Sequence, residues 1–166
     1  MRFAYLSDYP QFAPVLADWH HAEWGAHIDG WSRNAAEAEL QTHVGRCQIP
    51  TTLLALDGEQ LLGSVSLLQN DHEDVRDYSP WLASLYVIPA QRSRGVGAAL
   101  TRRLVAEAFA LGVPTLYLYT VDTQGFYRDL GWQEIDRIGF HGWSATIMTI
   151  APAEPAAADS RVAGVP

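Results

Sequence analysis

Near the middle of the chain, Gln91-Arg92-Ser93-Arg94-Gly95-Val96-Gly97-Ala98 combines two guanidinium groups with two glycines one residue apart. These residue types make an anion site if a helix begins among them. The first amides of a helix have no partner within it, and its dipole adds about half a positive charge at that end. Glycine lets a phosphate come close to such a backbone, and Arg92 and Arg94 would add charge-assisted donors. Two familiar nucleotide-binding loops do not fit. One needs Gly-Lys followed by Ser or Thr; the other needs a third small residue where Leu100 stands, and a strand near the start of the chain.

A second group of residues could move protons. Asp71, Glu73, Asp74 and Asp77 form an acidic run, and His141 lies in a later turn; a solvated loop is the plain alternative for the run. Tyr127, after Phe126, could pack at a helix–strand contact. His20, His21 and Glu23 suggest a metal, but adjacent histidines point apart on a helix and no third ligand is evident, so none is expected. Cys47 is the only cysteine, which excludes an internal disulfide or a cysteine zinc site and fits a reducing compartment.

The elements must place these groups. Arg2–Leu6 reads as a short strand, and Phe12, Val15, Leu16 and Trp19 recur at helical spacing after a break at Asp8-Tyr9-Pro10. Ala36, Leu40 and Val44 mark a second helix, with Asn34 as N-cap, Glu37 as its reciprocal partner and an end near Gly45. Thr51–Leu56 and Leu61–Leu68, separated by a turn containing Asp57-Gly58, predict an antiparallel pair. Trp81–Val87 predicts a strand stopped by Pro89. Leu100, Leu104, Ala108 and Leu111 share a helix face after Gly97, with Gly112 and Pro114 as the stop. Thr115–Thr120 then reads as a strand, Gly125–Leu130 as one or two helical turns, and Gln133–Ile138 with Ser144–Ile150 as a closing hairpin. Hairpins followed by strand–helix–strand give the α/β class with a mixed sheet. The glycine-bearing turn falls where strand gives way to helix.

A length of 166 residues implies one domain over residues 1–150, and 48% apolar residues suffice for its core. Residues 151–166 lose all periodicity and are expected to be a disordered tail. With 11 basic against 19 acidic residues the net charge is −8, which argues against a nucleic-acid partner. The start lacks the apolar run of a signal peptide and no stretch reaches membrane-span length, so the expected location is cytoplasmic, with no membrane partner.

Arg92-Ser93-Arg94-Gly95-Val96-Gly97 resembles the Arg/Gln-x-x-Gly-x-Gly/Ala signature of the GNAT N-acetyltransferases. Leu85-Tyr86-Val87-Ile88-Pro89 resembles the family's strand before that loop, and Phe126-Tyr127-Arg128-Asp129-Leu130-Gly131-Trp132 its Phe-Tyr-x-x-x-Gly-Phe/Trp element. The likeness runs from Thr51 to Ile150, and Ser79-Pro80-Trp81-Leu82-Ala83 looks like small bacterial members. Ser93 stands where the family often has Gly, and Thr120 where it often has Asn. The resemblance implies a central mixed, mostly antiparallel twisted sheet, flanked by helices and splayed at an acetyl-CoA site. It implies acetyl-CoA as co-substrate, without a metal. Arg92, Ser93, Arg94, Gly95, Val96, Gly97 and Ala98 would surround the pyrophosphate, Leu85, Tyr86 and Val87 would run along the pantetheine arm, and Thr120, Phe126 and Tyr127 would lie near its thiol end. The Leu85 amide would bind the thioester carbonyl and Tyr127 would act as acid, with Asp77 first among the candidate bases beside Asp71, Glu73, Asp74 and His141, while Glu23 and Trp24 would wall the acceptor groove. The implied activity is acetyl transfer to a primary amine of a small molecule or peptide, by direct attack in a ternary complex of a monomer or homodimer. The alternative is a non-catalytic acyl-CoA-binding domain of the same fold. Acidic charge beside the site favours a cationic amine.

Overall fold

The computed structural model describes residues 1–71, 75, 77–140 and 142–154. Glu73, Asp74 and His141, three of the candidate proton carriers, and residues 155–166 of the expected tail lie outside the described residues. The chain begins with β1 (Arg2–Tyr5), α1 (Ala13–Trp24) and α2 (Arg33–Thr42). It continues through the hairpin of β2 (Thr51–Asp57) and β3 (Gln60–Leu68), then β4 (Trp81–Val87) and α3 (Val96–Ala110). It closes with β5 (Leu116–Thr120), α4 (Gln124–Asp129), β6 (Gln133–Phe140) and β7 (Trp143–Ile150). Among the described residues the seven strands form one sheet in the order β1-β2-β3-β4-β5-β7-β6, antiparallel everywhere except between β4 and β5.

Both faces of the sheet are covered, and strand alternation divides the core between them. Leu53, Leu67, Leu82, Leu116 and Leu118 pack with Leu100 and Leu104 of α3, whereas Leu54 and Leu56 pack with Leu16 of α1 and Leu40 of α2. This explains why β2 and β3 read as apolar runs without alternation: each side chain meets a helix whichever way it points. The second helix corrects one expectation. Ser32, not Asn34, is its N-cap, accepting from the Ala35 amide at 3.1 Å, and Glu37 pairs with Arg33. Ser and Asn are near-equal caps, and the start is drawn back because Arg33 also binds Asp18 of α1 at 2.7 Å. The helix also stops at Thr42, before the expected end.

Two irregularities in the middle of the sheet matter for chemistry. β4 and β5 share a single parallel pairing, Trp81 with Tyr117, after which β4 keeps to β3 and β5 keeps to β7. The strands part there. Within β4, Ser66 faces Ala83 but Ser64 faces Tyr86, so Ser84 and Leu85 together occupy one step of the ladder, with Ser84 at φ 51. Such a bulge leaves an extra residue unpaired and bends its strand. No helix among the described residues is long and apolar enough to cross a membrane.

Candidate active site

The gap between β4 and β5 is closed by the start of α3 and by α4. Gly95 stands at the N-cap of α3 with φ 84, a left-handed conformation that glycine adopts without strain, and no side chain caps the helix. The first α3 amides are therefore available to a ligand. Val96 is buried in the core and anchors the turn, while Ser93, Arg94 and Gly95 are exposed beside it. Gly97 marks a convergence of three elements: a Cβ there would lie 3.6 Å from the Phe126 ring, 3.7 Å from Val87 and 4.0 Å from Leu85. Helix-start amides, an edge of β4 without a partner strand and the Phe126 ring thus lie side by side.

Tyr127 is buried, with ring centroids 4.9 Å from Phe126 and 6.1 Å from Trp132. Burial alone raises its phenol above the ordinary value. Thr120 holds the turn that presents this pair, its hydroxyl accepting the Thr123 amide at 3.2 Å and lying 2.6 Å from the Thr123 hydroxyl. Arg92 is folded back from the loop, donating to the Val87 carbonyl at 2.9 Å and to Glu23 at 3.0 Å. Glu23 thus contacts Arg92, and Trp24 is edge-on to Tyr86 at 6.3 Å.

On the opposite face from α3, alternation along β5 brings Tyr117 and Tyr119 out beside Trp81. The Tyr119 phenol lies beside Asp71, and Glu39 of α2 adds a second carboxylate nearby; desolvation and then Glu39 push Asp71 up to about 8. Asp77 is exposed just before β4. Sequence reasoning included Asp71 in the acidic run but missed Tyr119 and Glu39. The period-two pattern of Leu116-Tyr117-Leu118-Tyr119 was the available signal for Tyr119; nothing local marks Glu39.

Residues 16–132 match the model of the Acetyltransferase (GNAT) family. The chain belongs to the GNAT acetyltransferase family. Among curated protein sequences none matches it. Its fold is shared with aminoglycoside 6'-acetyltransferase type Ii, at TM-score 0.71 and 18% identity over 94% of this chain and 100% of that one. An aminoglycoside 6'-N-acetyltransferase complexed with coenzyme A aligns at TM-score 0.71 and 15% identity, covering 94% and 99%. The protein yncA of Salmonella typhimurium, solved with its cofactor acetyl-CoA, aligns at 0.69 and 20%, covering 95% and 96%. In this GNAT chain the three residues that suggested a metal go separate ways. His20 faces Ser64 at 3.3 Å, His21 packs near Trp31 and Glu23 binds Arg92.

Proposed function

We propose that the chain is an acetyl-CoA-dependent N-acetyltransferase acting on a cationic primary amine of a small molecule or peptide. The observation that carries this reading is the opened sheet. Beyond the Trp81–Tyr117 pairing β4 has no partner strand on this side as it runs to the glycine turn at α3, and Asp71 and Glu39 lie on the other face of the sheet. Acetyl-CoA supplies an activated thioester whose C–S bond breaks as the amine nitrogen takes the acetyl carbon. The amides of residues 93–98 hold its phosphates, and the strand edge from Leu85 through Tyr86 to Val87 aligns its arm. The bulge at Ser84 and Leu85 frees an amide, assigned to Leu85, for the carbonyl oxygen as charge develops on it. Tyr127 gives its proton to the departing thiolate.

The amine must shed a proton, which at pH 7 costs about 4–5 kcal/mol for an alkylamine. Asp71 serves this step better than Asp77: it is turned toward the sheet, and its raised pKa makes it a stronger base than an ordinary carboxylate. An incoming ammonium also stabilises its ionised form. The test is thiol release from acetyl-CoA over an amine panel including aminoglycosides, polyamines and peptide N-termini, run from pH 6 to 9. At least one cationic amine should be turned over, with kcat/KM rising as Asp71 ionises near pH 8 and that limb lost in Asp71→Asn. No turnover with any amine despite acetyl-CoA binding would favour a cofactor-sensing domain.

A further inference from the structure

The guanidinium of Arg92 is engaged at three points. Its Nε donates to the Val87 carbonyl at 2.9 Å, a terminal nitrogen donates to Glu23 at 3.0 Å, and its Cζ lies 5.4 Å over the Tyr86 ring. Val87 is the informative partner. The Ile88 amide bonds the Leu62 carbonyl at 2.9 Å, and because antiparallel strands turn alternate residues to opposite sides, the Val87 carbonyl faces the open edge of β4. Glu23 sits in the last turn of α1, the negative end of the helix dipole, where a carboxylate is locally disfavoured and gains most from a cation. One turn earlier, Trp19 stacks on the same Tyr86 ring at 5.4 Å. A single side chain therefore joins the cofactor loop, the strand edge and the helix covering the acceptor face.

We propose that Glu23 is a positioning residue for the cofactor arm: through Arg92 it holds the Val87 carbonyl and the Tyr86 ring, setting the open edge of β4 before acetyl-CoA arrives. The inference rests on the transferase reading above. Arg92 is then a brace, and the phosphates fall to the α3 amides and Arg94. Both partners of the ion pair are about half exposed, so its direct contribution to folding is small and its effect lies in preorganisation.

Calorimetric titration of acetyl-CoA separates a brace from a phosphate donor, because the two roles predict opposite signs. A donor would be released by Glu23→Gln, which also removes a repelling carboxylate, and acetyl-CoA would bind more tightly. A brace predicts that Glu23→Gln weakens binding by about 3- to 10-fold, that Arg92→Gln weakens it similarly, and that the double variant is no worse than either. Arg92→Lys should not rescue, since one ammonium cannot serve Val87, Glu23 and the Tyr86 ring together. Thermal melts of each variant establish that the folded state is being titrated. Unchanged or tighter binding in Glu23→Gln, additive losses in the double variant, or full rescue by Lys would overturn the brace. Wild-type protein that takes up no acetyl-CoA would remove the transferase reading and this inference with it.

Discussion

Burial raises the Tyr127 phenol above its ordinary pKa of 10, so throughout the pH range of a stable fold the residue is a proton donor rather than a phenolate. Phe at this position keeps the ring contacts with Phe126 and Trp132 and removes only the hydroxyl. Tyr127→Phe should therefore leave acetyl-CoA affinity and melting temperature nearly unchanged while lowering kcat by about ten- to a thousandfold. Steady-state kinetics beside a cofactor titration decide it; an unchanged kcat would make Tyr127 a packing residue. Tyr127 stands out in the sequence through its resemblance to the family's Phe-Tyr element, a short pattern that follows a strand. Asp71 was legible only as one of four acids, since what sets it apart, its desolvation beside Tyr119 and Glu39, depends on residues far along the chain.

At the scale of elements, the turn between β4 and α3 is the clearest case of sequence specifying structure. Pro89 cannot extend the ladder, Gly95 takes the left-handed N-cap, and Val96 enters the core, so strand end and helix start are both dictated by near neighbours. Gly97 supplies the test of its use. A Cβ there meets only ordinary contacts at 3.6 Å and beyond, so Gly97→Glu should fold, but its carboxylate would stand where a phosphate must sit. We expect calorimetry on the folded variant to show no measurable acetyl-CoA binding; near-normal affinity would mean that the phosphates lie elsewhere. The bulge in β4 has no comparable signal. Ser84 at φ 51 is an ordinary residue in an uncommon conformation, and it is held there by the pairings of Ala83 and Tyr86 on either side.

At the scale of the whole molecule, the layer of α1 and α2 rests on the sheet partly through buried polar groups. His43 bonds Thr52 at 2.9 Å, Thr52 bonds Ser66 at 2.8 Å, and His20 bonds Ser64. Desolvation lowers both histidines to about 4, with His43 further disfavouring charge on His20. Between pH 6.5 and 4 the unfolded chain takes up protons that these rings refuse, so stability falls as pH drops through that window and the loss is complete below 4. Each ring accounts for up to about 3 kcal/mol. Asp71, with its raised pKa, works in the opposite direction, so the contribution is read as a difference. Urea unfolding of His43→Asn, whose amide can replace the ring nitrogen facing Thr52, should show a flatter decline between pH 6.5 and 4 than wild type; parallel curves would show that His43 is not the acid-sensitive group. Composition, strand order along the chain, the glycine turn and the Phe-Tyr pair are written in neighbouring residues, because caps, turns and periodicity act over a few positions. The parting of β4 from β5, the face on which Asp71 meets Tyr119, and the turning of Arg92 to Glu23, 69 residues away, depend on how both faces of the sheet are packed. No local preference states which distant charge a long side chain will find.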